Sequence, residues 1–211
     1  MKKIKFVLGS LAVVAMLATV SCNKDEDTDG GDGGSTPPTT KSELVVNELM
    51  TKVVSKGIVY TDAEGKYSDW VEFYNNGDAD INIAGYFVGD DGKDGDVADY
   101  YEIPTGHDAI TTIAAKGRLV VVFGASSDAA GTIDMEGVVN DTLFIPMSLS
   151  AKKDIAVAIF DTDKAFVTES ADFSATGDFG KLEDDKSLGR VADGADTWQV
   201  WDVPTPGAEN K

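Results

Sequence analysis

Beyond Ser42 the apolar residues fall in short runs divided by glycine, aspartate and asparagine, and no stretch sustains a 3.6-residue period between caps. Leu44-Val45-Val46-Asn47-Glu48-Leu49 predicts a strand, and a weaker one is centred on Ile58-Val59-Tyr60. Trp70 to Tyr74 predicts the next, stopped by the turn sequence Asn75-Asn76-Gly77-Asp78. Ile81 to Phe87 alternates like a half-buried strand, which sets Ile81, Ile83 and Phe87 on one face. Tyr100 to Ile103, Leu119 to Phe123 and Ile155 to Phe160 add three more; in the last, Ile155, Val157 and Ile159 face opposite to Ala156 and Ala158. Many short strands with frequent turns and no helices between them predict an antiparallel sandwich or barrel. About 170 residues make one domain, which buries roughly 70% of the surface its unfolded chain exposes.

The first forty residues follow another pattern. Lys2, Lys3 and Lys5 precede the apolar run Phe6 to Val20, and Ala18-Thr19-Val20-Ser21-Cys22 closes it with small residues. Charge, apolar run and small-residue cleavage site make a secretory signal peptide. The run is short for a membrane span, which needs about twenty residues. A short membrane helix, or an ordinary signal peptide with a chance cysteine, are the alternatives. Cys22 directly behind the run resembles the lipobox of bacterial lipoproteins. That resemblance implies cleavage after residue 21 and acylation of Cys22 with fatty chains such as palmitate. Two or more chains, at about 0.8 kcal/mol per buried methylene, hold a protein stably on a membrane. Residues 22–42 then form a lipid-anchored acidic Gly/Pro/Thr linker, whose composition buries too little apolar surface to fold. The acids of Asn23-Lys24-Asp25-Glu26-Asp27-Thr28-Asp29 serve as a solvated spacer. They also resemble the signal that sends some lipoproteins of Bacteroidetes-type bacteria to the outer cell surface.

Charge narrows the partners. Residues 1–21 contain three lysines and no acid, so the exported chain carries 15 Lys and Arg against 37 Asp and Glu, a formal charge of −22. Such a chain repels nucleic-acid phosphates and anionic lipid, so no direct nucleic-acid binding is expected and attachment to the membrane falls to Cys22. Cys22 is the one cysteine; once acylated it leaves no thiol for a disulfide, a metal or a nucleophile.

Ordered blocks along residues 43–210 carry a family resemblance. Val45-Val46-Asn47-Glu48-Leu49, Asp69-Trp70-Val71-Glu72-Phe73-Tyr74-Asn75-Asn76-Gly77 and Ile81 to Asp91 are similar to the first three blocks of lamin-tail domains. Ile103-Pro104-Thr105-Gly106, Ile113 to Gly117, Arg118 to Phe123, Leu149-Ser150 and the strand to Asp161 follow in the family's order. Ser187-Leu188-Gly189-Arg190 and the closing Pro204-Thr205-Pro206-Gly207-Ala208-Glu209-Asn210 complete it. The resemblance implies an all-β fold, an immunoglobulin-like antiparallel β-sandwich over residues 43–211, and an interaction module. Trp70 and Trp198 are large enough to anchor its two-sheet core, and Gly85 suits a bend. Gly89 to Asp99 and Gly124 to Asn140 are long insertions of the kind that displays binding loops.

No catalytic constellation is visible. His107 is the one histidine, no Gly-x-Ser-x-Gly elbow accompanies it, and histidine-rich zinc sites fail on count. Carboxylate pairs for a hydrolase remain open, since acids are so numerous. Glu48 and Glu72, inside strands, match the family's regular pattern and read as structural hydrogen-bonding residues. Asp90-Asp91-Gly92-Lys93-Asp94-Gly95-Asp96 spaces Asp90, Asp91, Asp94 and Asp96 as weak calcium candidates. The loop departs from the strict calcium pattern, with Gly92 at the third position and Tyr101 at the twelfth, and a solvated acidic turn is the favoured reading. The expected function is a non-catalytic outer-membrane lipoprotein, surface-exposed, displaying the sandwich as a binding or adhesion module for a protein or glycan. A structural or accessory subunit of an envelope complex is the alternative, and a carboxylate hydrolase a third.

Overall fold

The computed structural model describes residues 42–54, 68–124, 137–139, 141–150 and 154–211. Cys22, the leader, the linker up to Lys41, the expected strand at Ile58 to Tyr60 and most of the Gly124 to Asn140 insertion lie outside the described residues. Thirteen strands are found among those described. The first seven are β1 (Leu44–Met50), β2 (Trp70–Asn75), β3 (Ile81–Asn82), β4 (Phe87–Gly89), β5 (Tyr101–Glu102), β6 (Thr112–Ile113) and β7 (Arg118–Phe123). The rest are β8 (Gly137–Val139), β9 (Thr142–Ile145), β10 (Ala158–Phe160), β11 (Phe166–Glu169), β12 (Ser187–Arg190) and β13 (Trp198–Trp201). A seven-stranded sheet runs β13-β12-β1-β2-β7-β9-β8 and a four-stranded one β11-β10-β4-β5, with β3 and β6 paired separately. All pairings are antiparallel except β7 with β9, which is parallel.

The core lies between the two larger sheets. Leu44, Val46, Leu49, Val71, Phe73, Val121, Phe123, Leu143 and Leu188 from the larger sheet meet Val88 and Ile159 from the smaller one in a single buried cluster. This is the immunoglobulin-like sandwich, with side chains of two inner faces closing one apolar layer.

A bulge in β1 decides where its polar residues go. Val46 pairs with Phe73 and Glu48 with Glu72, so Asn47 is an extra residue without a cross-strand partner. Strict alternation would send Glu48 to the core side with Val46. The inserted Asn47 reverses that phase. Leu49 returns to the core, while Glu48 lies on the reverse face of the sheet beside Glu72.

The same alternation corrects the expected place of Trp70. Met50, Trp70, Val122 and Phe144 are direct neighbours across four strands, on the reverse face from the inter-sheet core. Trp70 is 0% exposed, so it anchors that second apolar row rather than the inter-sheet layer. Trp198 packs against the core from the rim, with Arg190 over its ring at 4.7 Å.

Other differences are local. The run from Ile81 to Phe87 divides at Gly85, which adopts φ +76° and donates its N–H to the Ile103 carbonyl at 2.8 Å. β3 and β4 on either side join different sheets, so Ile83 enters the core while Phe87 packs with Tyr100, Ala158 and Phe160 in a smaller cluster. Likewise β10 begins only at Ala158, and Ile155 is 49% exposed. Its N–H and that of Ala156 are held by the Asp90 carbonyl, in a connection rather than a ladder. A single helical turn, Asp108–Thr111, precedes β6. The turn after β2 follows its sequence signal: buried Asn75 donates to the Ala79 and Ile113 carbonyls and accepts from Gly77 N.

Candidate functional site

On the reverse face of the large sheet, Glu48 and Glu72 stand side by side, both 0% exposed. Burying two carboxylates costs several kcal/mol each unless hydrogen bonds replace the lost water. The replacement comes from the chain's last residues. Pro204 to Asn210 leaves β13 and crosses over the pair, and the N–H of Gly207 donates to Glu72 Oε2 at 2.6 Å. Thr205 N lies 3.1 Å from both oxygens of Glu48, with Thr205 Oγ1 2.9 Å from Oε2. From within the sheet, Ser187 Oγ donates to Glu48 Oε1 at 2.5 Å and Asn47 Nδ2 to Glu72 Oε1 at 2.7 Å. The bulge that displaced Asn47 is what aims its amide at Glu72.

Further groups close the site. Asn47 Nδ2 also donates to Asp193 Oδ1 at 2.9 Å, and Asp193 pairs with Arg118. The Nε of Arg118 stands 4.0 Å from Glu72 Oε1, and its guanidinium lies over the Tyr74 ring at 5.2 Å. Arg190 Nε donates to the Val46 carbonyl at 2.7 Å. Asn210 Nδ2 donates to the carbonyls of Asn47 and Arg190, and its own N–H to Asp193 Oδ1. Gly189 has its place for a steric reason: a Cβ there would fall 2.9 Å from Trp201 Nε1 and 3.0 Å from Glu48 Cγ. Burial pushes the Glu72 carboxyl up to about 7, against the lowering effect of Asn47, Gly207 and Arg118. It raises Glu48 too, although Ser187 and Thr205 oppose the shift. This arrangement is a clasp: two strand carboxylates fasten the end of the chain over the sheet. Their reading as structural hydrogen-bonding residues fits the geometry.

The acids of the loop after β4 are arranged differently. Asp90 is half-buried and its carboxyl meets that of Asp154; burial raises both, Asp154 to about 6. The contact adds to the rise at Asp154 but opposes it at Asp90, where the Asp91 charge adds instead. Asp91 and Asp94 are exposed, and Asp96 accepts from Ala98 N at 3.0 Å to start the short turn Val97–Asp99. Tyr100 anchors the loop by lying on Gly89, where a Cβ would sit 2.2 Å from its ring, and by donating its hydroxyl to the Gly92 carbonyl. Among the described residues no three His, Cys, Asp or Glu come together closely enough to hold a metal ion. His107 is exposed, and Asp69, with Leu149 N on its carboxylate, is pushed by burial to about 7. Cys22 lies outside the described residues.

The family model for the lamin tail domain matches residues 37–175. The chain belongs to the lamin tail domain family. That family is immunoglobulin-like and non-catalytic. No curated protein matches the chain. The matched stretch contains Asn47, Glu48, Glu72 and Arg118, whereas the residues that complete the clasp of this lamin tail domain, Ser187 to Asn210, follow it. Sequence reasoning singled out Glu48 and Glu72 but missed Arg118, Arg190 and Asp193. A usable signal existed for the arginines: each adjoins an apolar strand in a chain where acids outnumber bases 37 to 18.

Proposed function

We propose that this protein is a non-catalytic envelope lipoprotein, tethered by Cys22 and the 22–42 linker, that presents its lamin tail domain as a binding or adhesion module at the outer cell surface. One observation carries the non-catalytic part. The strand carboxylates with the best claim to acid–base chemistry, Glu48 and Glu72, are sealed under the closing segment and engaged by Ser187, Thr205, Asn47 and Gly207. A reacting group needs access to its substrate.

The edge of the large sheet supports a protein partner. β13 ends the sheet, and Val200 is 38% and Val203 72% exposed beside it. Its four residues, Trp-Gln-Val-Trp, contain none of the lysine, proline or bulge devices that protect an edge from further pairing. An extended segment of a partner adds there by main-chain hydrogen bonds, with the side chain of Val200 on the contact. A permanent subunit of an envelope complex would use the same edge.

The test is a binding survey with soluble residues 22–211 carrying Cys22→Ser, set against envelope extract, matrix proteins and glycans, with and without Val200→Lys. Saturable protein binding lost in the Val200→Lys variant supports the edge. Glycan binding that survives the change moves the site elsewhere, and absence of binding in every arm counts against an adhesion module. In cells, Cys22→Ser is expected to abolish palmitate labelling and release the chain from membranes; continued labelling contradicts the anchor.

A further inference from the structure

The hydrogen bonds around Thr205 leave one proton unaccounted for. Thr205 Oγ1 lies 2.9 Å from Glu48 Oε2 and 3.0 Å from Asn210 Oδ1, and a hydroxyl has a single proton to donate. The Asn210 amide cannot be turned over to supply another. Its Nδ2 donates to two carbonyls, those of Asn47 at 3.3 Å and Arg190 at 2.8 Å, so Oδ1 must face Thr205. Thr205 therefore donates to Asn210, and its contact with Glu48 needs a proton on Glu48 Oε2. With that proton present, Glu48 donates to Thr205 through Oε2 and accepts from Ser187 through Oε1. Glu72 differs. A separate N–H donor sits on each of its oxygens, Asn47 on Oε1 and Gly207 on Oε2, so a proton has no acceptor there. Glu48, by contrast, has one backbone N–H, that of Thr205, shared between its two oxygens.

The charges around the pair agree. Glu48, Glu72 and Asp193 are faced by one cation, Arg118 from β7, while Arg190 of β12 turns to the Val46 carbonyl and the Trp198 ring. Arg190 is also drawn towards Asp196. β1 and β12 otherwise contribute neutral groups, Asn47 and Ser187, as does the closing segment with Thr205 and Asn210, while Glu209 and Lys211 are exposed and pair with each other. The carboxyls outnumber the cation that faces them.

We propose that Glu48 is held as a neutral carboxylic acid that donates to Thr205, making the closing segment a proton-fastened clasp that loosens when Glu48 ionises. Below that pH the chain Glu48–Thr205–Asn210 is continuous. Above it, an ionised oxygen faces the hydroxyl oxygen, and Thr205 must leave either Glu48 or Asn210.

The test uses the exported chain, residues 22–211 with Cys22→Ser, labelled at glutamate carboxyl carbons for NMR. The Glu48 signal is expected to stay at its protonated position at a pH where the exposed glutamates have ionised. As Glu48 titrates, amide exchange at Thr205, corrected for intrinsic rate, should accelerate at least tenfold relative to Val71. Glu48→Gln, a neutral isostere able to donate from Nε2 and accept on Oε1, should keep Thr205 protected throughout. Glu48 titrating with the exposed glutamates overturns the proposal. So does Thr205 protection that stays flat while Glu48 ionises, whether or not Glu48→Gln folds. Loss of Thr205 protection in a folded Glu48→Gln at every pH contradicts it as well.

Discussion

The clasp and the loop from Gly89 to Asp99 are both rich in acids, yet their carboxylates have different kinds of partner. In the clasp they reach across the sequence: Glu72 is engaged by Asn47, 25 positions away, and by Gly207, 135 away, and Glu48 by Thr205, 157 away. In the loop Asp96 serves Ala98, two positions on, and Asp91 and Asp94 are exposed. Long-range bonds to buried acids tie elements together, and losing one strands its partner without water. Short-range bonds to exposed acids shape a turn that water shapes almost as well. Glu48 and Glu72, each alone inside an apolar strand, hold the fold, whereas Asp91, Asp94 and Asp96 shape or line a turn. Within that run only Asp90, which meets Asp154, is drawn inwards.

The comparison breaks first if the face carrying the clasp is not a true second core. Trp70 is fully buried in the row Met50–Trp70–Val122–Phe144, so Trp70→Ala should cost about 3–5 kcal/mol by urea unfolding. A loss below about 1 kcal/mol would mean that this face is not packed. Asn47→Ala removes a donor shared by Glu72 and Asp193 and should cost about 2–3 kcal/mol. Gly189→Ala forces a methyl against Glu48 and Trp201 and should cost about 1–3 kcal/mol, with Trp201 fluorescence shifted as its indole moves.

The pH dependence sharpens the contrast. Asp69 is pushed up to about 7 and Asp154 to about 6, both chiefly by burial. A carboxyl with a raised folded-state pKa binds its proton more tightly when folded. Its contribution is complete below the unfolded value near 4 and is lost as pH rises through the folded value. Thermal stability should therefore decline between about pH 4 and pH 7, and self-repulsion of the acidic surface acts in the same direction. A midpoint that rises over that interval would contradict the burial of these acids. The smallest effect belongs to the loop, where Asp91→Asn, Asp94→Asn and Asp96→Asn together should change stability by less than about 0.5 kcal/mol.

Much of the sandwich was legible because it rests on local signals. The apolar runs of β1, β2 and β7 and the turn at Asn75 follow from side-chain pattern and turn chemistry, and Gly85 was recognisable as a bend. The bend's consequence was not. Alternation across Ile81 to Phe87 survives the break at Gly85, so it could not reveal that the run divides between two sheets. The bulge at Asn47 was equally hidden, since one extra residue leaves a run of Val, Asn, Glu and Leu looking continuous. Glu48 and Glu72 stood out as acids within strands, but their partners lie up to 157 positions away, a distance set by topology. The loop acids drew the eye because they are adjacent, a property of composition that does not require convergence in space.

The most direct test sets two variants side by side in urea at pH 7 and moderate salt: Asn47→Ala, and the triple change Asp91→Asn, Asp94→Asn and Asp96→Asn. The predicted result is a loss of about 2 kcal/mol or more in the first and less than about 0.5 kcal/mol in the second, with calcium present or chelated. A stable Asn47→Ala beside a destabilised or calcium-dependent loop variant would contradict the account, and would move the structural role from the clasp to the loop.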